Sequence, residues 1–161
     1  MNNLLWIDVE TTGLDPATDK ILALGMVLTD ANLNEIVKPL SVLFYHDPDK
    51  LRMTDYVRKM HTQNGLLDRC ASVGWHFAYE EQIRTYLNYC CPASTPMDQR
   101  PYVAGSTVSF DRSFMLHNWP WYRDHAHYRS LDVSSLRTEI SLMRPELLQG
   151  APEKRDIHLP L

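Results

Sequence analysis

The residues best suited to chemistry lie near the N-terminus, in the segment LLWIDVETTG at positions 4–13. Leu4 to Ile7 form an apolar run, which predicts a strand that is buried on both faces. Asp8 and Glu10 follow at alternate positions, and strand side chains alternate between faces, so both carboxylates point to one side. Such a pair suits Mg²⁺ or Mn²⁺, which prefer oxygen ligands. The alternative is a strand end that has simply reached solvent.

Two residues far along the chain could complete this site. Asp111 lies near a predicted helix start, where an acid is also favoured by the helix dipole alone. Taken with Asp8 and Glu10, it is a third oxygen ligand, as a two-metal site requires. His158 is the histidine of the irregular C-terminal segment, and histidine titrates near neutrality, which suits a general base that deprotonates an attacking water. The alternative for His158 is a solvated histidine.

Other residues could contact a nucleic acid. His61 and Arg58 lie close together around a predicted short helix, and either could meet a phosphate or simply be solvated. Tyr56 could stack on a base, or it could be an ordinary half-buried tyrosine. The segment HYRSLDVS, residues 127–134, places a histidine, a tyrosine and an arginine before a strand. It predicts either a phosphate clamp or an interface patch.

Composition limits the class of protein. The 161 residues are enough for one domain, and a net charge of −4 disfavours binding to long duplex nucleic acid, although a short one whose phosphates meet metal ions remains compatible. The 3 cysteines show no framework spacing, which indicates a reducing compartment and argues against a zinc site. No apolar run reaches the length of a membrane span, and no signal peptide is recognisable. We therefore expect a cytoplasmic protein.

The order of predicted elements defines the fold class. Three strands come first and form an antiparallel meander, then helices, and then strand, helix, strand, helix. This order predicts an α/β fold with a mixed sheet flanked by helices, in which Asp8 and Glu10 lie on the central strand. The second and third strands are predicted at 21–29 and 35–45 and the later two at 102–104 and within 128–133. The helices are predicted at 53–60 with Thr54 as N-cap, 62–69, 77–90, from about 110, and 133–143.

Five segments together resemble a known family. The chain is similar to the DEDD exonucleases, which include ribonuclease T and the proofreading subunit of DNA polymerase, and more specifically it resembles oligoribonuclease. The HYRSLDVSSL segment carries most of the specificity, because WIDVETTG alone indicates only the superfamily. The matching segments are WIDVETTGLDP from Trp6, VLTDANLN from Val27, VRKMHTQNGL from Val57, SFDRSF from Ser109 and HYRSLDVSSL from His127.

The resemblance implies a ribonuclease H-like fold with a mixed five-stranded sheet. It also implies a 3′-to-5′ exonuclease that removes 5′-mononucleotides from very short RNA, with dinucleotides preferred. By the same resemblance, two Mg²⁺ or Mn²⁺ ions are held by Asp8, Glu10 and Asp111. His158 is the general base.

The resemblance also implies the substrate contacts. Leu14 falls where the family wedges an apolar side chain between two bases, and Tyr56 falls where it stacks an aromatic ring. Thr107 and His61 fall at positions that cap the 5′ phosphate of the substrate. Tyr128 and Arg129 complete this cap from the neighbouring subunit, which implies a homodimer with a shared site. A capped 5′ phosphate would exclude longer RNA, because additional nucleotides would collide with the cap.

The chain departs from the family pattern in three places. The first motif reads ETTG instead of EMTG, and Ala23 replaces a common glutamate. The last carboxylate of the family, five residues after the histidine, falls beyond Leu161. We therefore expect residues 1–161 to form a single exonuclease domain that lacks the family's final helix, with the natural polypeptide longer by about one helix. Two alternatives are a broader 3′-to-5′ exonuclease acting on RNA or single-stranded DNA, and a catalytically impaired binding protein.

Overall fold

The computed structural model describes residues 2–74 and 78–151. These residues form a single five-stranded sheet with helices packed on its faces. The strands are β1 (Leu4–Thr11), β2 (Ile21–Thr29), β3 (Leu40–Leu43), β4 (Tyr102–Gly105) and β5 (Ser130–Asp132).

The sheet order is β3-β2-β1-β4-β5, so β1 is the central strand. It pairs with β2 in antiparallel register and with β4 in parallel register. β3 pairs antiparallel with β2, and β5 pairs parallel with β4. The predicted mixed sheet, its antiparallel first three strands and the central position of Asp8 and Glu10 are therefore confirmed. Every residue of β2 is buried, which explains its near-continuous apolar sequence.

In the part of the chain that the structure describes, five α-helices flank the sheet. Thr54 caps the first of them as predicted, because its hydroxyl accepts a hydrogen bond from the Val57 N–H at 3.3 Å. The last helix has the predicted bounds. The helices are α1 (Asp55–Gln63), α2 (Leu66–Ser72), α3 (Tyr79–Cys90), α4 (Val108–Asn118) and α5 (Val133–Met143). Short 3₁₀ turns occupy Pro48–Lys50, Met97–Gln99, Pro120–Asp124 and Pro145–Leu148.

Several predicted bounds were wrong. The third strand is shorter than 35–45, because only an isolated bridge joins Glu35 to Thr29 and Pro39 cannot donate a ladder hydrogen bond. The predicted helix at 62–69 splits, because Gly65 adopts a φ of +72° between α1 and α2. α4 begins at Val108, two residues before the predicted start near Phe110. The last strand, at 130–132, does lie within the predicted segment 128–133. The start of the predicted helix at 77–90 lies outside the described residues.

The core has two parts. The larger cluster packs β1, β2 and β4 against α3 and α4, and includes the fully buried Leu5, Ile83 and Phe114. A smaller cluster joins β2 to α2 through Leu22 and Leu66. By contrast, α5 buries none of its own residues. Among the described residues, no helix combines the length and apolar character that a membrane crossing requires.

Candidate functional site

A cleft of about 340 Å³ opens at the end of β1. Asp8 and Glu10 reach it from β1, and Asp111 reaches it from the first turn of α4. The structure therefore brings together six of the predicted site residues, which are Asp8, Glu10, Asp111, Leu14, Tyr56 and His61. The other lining residues are Val9, Thr11, Gly13, Val57, Met60, Ser106 and Phe110.

The side chain of Asp111 links α4 to the backbone of β1 at this cleft. The backbone N–H of Val9 donates to Oδ1 of Asp111 at 2.9 Å. Val9 lies between the two strand acids, so this contact fixes Asp111 beside both of them. Glu10 and Asp111 are buried, whereas Asp8 is exposed. Both strand acids face the cleft, as the strand alternation predicts, with the exposed Asp8 at its mouth and the buried Glu10 inside it.

The cleft is strongly acidic. Burial is the main cause that raises the pKa of Glu10 to about 7, and the charges of Asp8 and Asp111 raise it further. Burial also raises the pKa of Asp111 to about 7, although the hydrogen bond from Val9 opposes this shift. No lysine or arginine of the described residues lines the cleft. The arrangement is therefore electrostatically unfavourable until a cation or a proton neutralises it.

The three acids supply the donor chemistry of a hard divalent cation. Carboxylate oxygens are the ligands that Mg²⁺ and Mn²⁺ prefer, and the electrostatic repulsion within the cleft favours a cation there. In the part of the chain that the structure describes, no group of three or more His, Cys, Asp or Glu side chains is gathered so that it could hold a metal ion. The three carboxylates therefore have the right donor atoms for Mg²⁺ or Mn²⁺. That they hold two such ions stays a prediction.

The loop that carries Leu14 is shaped by the side chain of Asp19. Its Oδ2 accepts the Asp15 N–H at 2.9 Å, and its Oδ1 accepts the Thr12 hydroxyl at 3.2 Å. A Cβ atom at Gly13 would lie 2.4 Å from Oδ2 of Asp19, so a side chain there would displace the Asp19 carboxylate from these hydrogen bonds. The closed loop leaves Leu14 strongly exposed at the cleft, which is the placement that a contact with a base requires.

Helix α1 forms the facing wall. Tyr56 projects from it and is exposed, which differs from the alternative of a half-buried tyrosine. His61 is fully buried, and its Nε2 lies 3.0 Å from the Thr11 carbonyl, so it contacts the end of β1. The guanidinium of Arg58 donates to the Pro48 and Leu51 carbonyls, which commits it to the neighbouring loop. Two of the five N–H groups of Arg58 are thus used within the chain, and its predicted contact with a phosphate stays a prediction.

Three further predicted residues, Thr107, Tyr128 and Arg129, are not among the described residues that line this cleft. Thr107 precedes α4 in a left-handed conformation, with a φ of 62°. Tyr128 is exposed and stacks on His127, and Arg129 lies over the Tyr128 ring at 5.4 Å. Their predicted position opposite a neighbouring subunit stays a prediction. His158 lies outside the described residues.

Sequence reasoning missed several residues at the site. Ser106 and Phe110 line the cleft, and their proximity to Asp111 in the chain was an available signal. Ser134 lies with its hydroxyl oxygen 3.4 Å from that of Thr107. Its signal was the segment HYRSLDVS, in which only the histidine, tyrosine and arginine were considered for a phosphate clamp or an interface patch.

A comparison with known families decides the class of protein. The model of the exonuclease family RNase_T matches residues 5–156 of this chain. Oligoribonuclease from Haemophilus influenzae (strain ATCC 51907 / DSM 11121 / KW20 / Rd) is 36% identical over 162 residues, which cover 99% of this chain and 85% of the relative. The protein belongs to the oligoribonuclease family of exonucleases. Oligoribonuclease from Mannheimia succiniciproducens is 38% identical to this exonuclease, over 99% of this chain and 83% of the relative.

Solved structures support the exonuclease fold. Escherichia coli exonuclease I, solved with a 5cy-dA13 oligonucleotide, superposes on all of this chain with a TM-score of 0.65 and 19% identity. Exonuclease I from Methylocaldum szegediense matches 97% of the chain with a TM-score of 0.63 and 22% identity. This exonuclease corresponds to 34% and 32% of those two longer chains, respectively. The predictions of a ribonuclease H-like fold and of a 3′-to-5′ exonuclease are confirmed.

Proposed function

We propose that the protein is a 3′-to-5′ exoribonuclease that hydrolyses very short RNA, dinucleotides first, to 5′-mononucleotides. The observation that carries this proposal is the convergence of Asp8, Glu10 and Asp111 in one cleft, with Leu14 and Tyr56 exposed beside them. The oligoribonuclease relatives, which align over nearly the whole chain, support RNA as the substrate. We further propose that residues 1–161 act as a single exonuclease domain.

The size and charge of the cleft favour a short substrate. Its volume of about 340 Å³ is at the small end of the range for ligand pockets. Proteins that follow long single strands provide a positively charged groove, whereas the described lining of this cleft contains three acids and no lysine or arginine. A substrate with one or two phosphates is therefore the best match.

The chain's own groups have distinct roles in this proposal. Asp8, Glu10 and Asp111 would hold two Mg²⁺ or Mn²⁺ ions, which when bound stabilise negative charge on the attacking and leaving oxygens. Leu14 and Tyr56 hold the bases, because an apolar side chain and an aromatic ring both pack on base faces. His158 would accept the proton of the attacking water, and it is the residue whose place the described structure does not give.

The 5′-phosphate cap requires a second copy of the chain in this proposal. Thr107 and His61 would contribute from one subunit, and Tyr128 and Arg129 from its partner. α5 supports a homodimer, because it buries none of its residues and exposes Leu136, Leu142 and Met143. An exposed apolar surface of this kind is typical of a protein interface.

The state of the cysteines is relevant to the cellular compartment of the protein. Cys70, Cys90 and Cys91 are all free thiols. Burial raises the pKa of Cys70 and of Cys90 to about 11, so both thiols are unreactive at neutral pH. Free, unreactive thiols support the cytoplasm as the location.

A cleavage assay tests the function. The substrates are 5′-labelled RNAs from the dinucleotide to about twenty nucleotides, with Mg²⁺ or Mn²⁺ present, and Asp8→Ala is the control for metal-dependent turnover. Rapid loss of the dinucleotide with long RNA nearly intact is expected.

Two other results are informative. Stepwise trimming of long RNA or of single-stranded DNA would support the broader exonuclease. No turnover together with dinucleotide binding would support a catalytically impaired binding protein.

A further inference from the structure

Asp132 joins the starts of two helices. It ends β5 and is the N-cap of α5, where its Oδ1 accepts the Ser134 N–H at 2.9 Å and the Ser135 N–H at 3.3 Å. The same carboxylate also receives two N–H groups from the start of α4. Thr107 donates to Oδ1 at 3.0 Å, and Val108 donates to Oδ2 at 3.2 Å.

The contacts with α4 replace a cap that α4 lacks. The first N–H groups of a helix have no partner within the helix and need one from elsewhere. In the described structure, the side chain of Thr107 makes no capping hydrogen bond to its own helix. The backbone of Thr107 also has a φ of 62°, which is costly for a residue with a branched side chain. The two hydrogen bonds to Asp132, together with one from the Thr107 N–H to the Ser134 hydroxyl at 3.1 Å, therefore hold a strained turn in place.

This turn leads directly to the acidic cleft. Ser106, one residue before it, lines the cleft, and Asp111 follows in the first turn of α4. Asp111 then accepts the Val9 N–H at 2.9 Å between the two acids of β1. Besides its packing in the core, the start of α4 is therefore held by hydrogen bonds to Asp132, and its first turn is held by the bond between Val9 and Asp111.

The carboxylate is well suited to this task. Hydrogen bonding, first of all from the Ser134 hydroxyl at 2.6 Å, holds the pKa of Asp132 below its ordinary value. Asp132 therefore remains ionised at neutral pH and offers two acceptor oxygens. Parallel pairing places Asp132 opposite Gly105 of β4, which brings it beside the turn that leads into α4.

We propose that Asp132 is a positioning residue of the exonuclease site, which fixes the start of α4 and thereby holds Asp111 beside Asp8 and Glu10. The inference rests on the proposed function, because it assigns Asp111 to metal binding. Asp132 itself touches neither substrate nor ion in this scheme. Asp132 affects the reaction only because it fixes the position of Asp111.

The sharpest variant is Asp132→Asn. Asparagine is as good an N-cap as aspartate, so its oxygen keeps α5 capped. Its NH₂ group cannot accept a hydrogen bond, so one of the contacts with α4 is lost. Asp132→Ser is the second variant, because serine also caps a helix but has only one side-chain oxygen. Asp30→Asn is the matched control, since Asp30 accepts the Asn32 and Asn34 N–H groups in a distant turn.

Manganese binding and kinetics give separate readouts. Mn²⁺ binding is measured by electron paramagnetic resonance without substrate, and turnover is measured on a dinucleotide. We expect Asp132→Asn to weaken Mn²⁺ binding about ten-fold and to lower kcat by a similar factor. KM should change less than about three-fold, because Leu14 and Tyr56 still hold the bases. Asp30→Asn should match the wild type in both measurements.

Three results would overturn the proposal. The first is Mn²⁺ affinity and kcat within about two-fold of the wild type in both Asp132 variants. The second is a lower melting temperature with unchanged Mn²⁺ affinity of the folded protein, which would make Asp132 merely structural. The third is loss of the native circular dichroism spectrum in both variants. A wild type that binds Mn²⁺ but cleaves no RNA would instead refute the proposed function, and the Mn²⁺ comparison would still test Asp132.

Discussion

The Oδ1 atom of Asp111 accepts a hydrogen bond from the backbone N–H of Val9 at 2.9 Å. These two residues are separated by 102 positions in the chain, and their contact joins α4 to the central strand. Because Val9 lies between Asp8 and Glu10, the contact places Asp111 on the same cleft as both strand acids. This long-range pairing adds a third acid to the two that β1 itself carries.

Asp111→Asn should abolish activity without unfolding the protein. The asparagine oxygen can still accept the Val9 N–H, so the link between α4 and β1 is retained. The loss of one anionic ligand should reduce kcat/KM about a thousand-fold, which corresponds to about 4 kcal/mol of transition-state stabilisation. The measurement is dinucleotide cleavage with Mg²⁺, with circular dichroism as the test of folding. Asp98→Asn, an exposed surface change, is the control, and a loss below ten-fold would contradict the metal role.

Glu10→Gln should stabilise the metal-free protein at alkaline pH. The folded-state pKa of Glu10 is raised to about 7, so the native state retains a proton that the unfolded chain releases near pH 4.5. The associated stability is present below about pH 4.5 and is lost as the pH rises through about 7. After allowance for solvent screening, we expect Glu10→Gln to melt about 3 °C above the wild type at pH 8.

The measurement for Glu10 is a series of melting curves in EDTA from pH 4.5 to pH 8. The two proteins should converge at the acidic end, where the carboxyl group is neutral in both states. Asp98→Asn should run parallel to the wild type throughout. A difference between Glu10→Gln and the wild type that does not depend on pH would show that packing, and not charge, separates the two proteins.

Added Mg²⁺ should raise the melting temperature of the wild type. A ligand that binds only the native state stabilises it by about 2.7 kcal/mol at a hundred times its Kd, which is about 5–10 °C for a chain of this size. The same addition should have little effect on Asp111→Asn or Glu10→Gln, because each lacks one acid of the cleft. Equal amounts of KCl control for ionic strength. A uniform shift in all three proteins would indicate a different binding site.

Tyr56→Ala should weaken substrate binding with little effect on stability. The side chain is 76% exposed, so its loss removes almost no core packing, whereas one stacked base contributes about 1–3 kcal/mol. We expect the KM of Tyr56→Ala for the dinucleotide to rise about ten-fold. The KM of Tyr56→Trp should stay close to that of the wild type, because tryptophan also stacks on a base. Tyr89→Ala is a matched control, because Tyr89 is also 76% exposed but lies on α3 beside Val37 and Leu40. Equal effects of the two alanine variants would refute base stacking by Tyr56.

Mixing two inactive variants should test the shared site. In a homodimer whose cap comes from the partner, Asp111→Asn and Arg129→Ala damage the same site in a mixed dimer and leave the second site intact. Random exchange makes about half of the dimers mixed, and each mixed dimer has one intact site out of two. About a quarter of the wild-type activity should therefore return after mixing. The readout is dinucleotide cleavage before and after exchange, with light scattering to measure the mass. A monomer at assay concentration, or no recovery, would contradict the homodimer.

Short-range patterns in the sequence predicted much of this protein. The period of two in β1 predicted that Asp8 and Glu10 share one face, and the N-cap preference of threonine predicted the start of α1. The helix at 133–143 was predicted with its exact bounds. These features depend on residues only a few positions apart, which is why the chain alone determines them.

Only the tertiary structure decided the features that depend on distant contacts. The burial of His61 against the Thr11 carbonyl, the pairing of Val9 with Asp111 and the double role of Asp132 each join elements far apart in the chain. No local pattern records which carbonyl or N–H a side chain will meet. Burial within the assembled cleft also sets the pKa values of Glu10 and Asp111, because desolvation is a property of the surroundings and not of the residue.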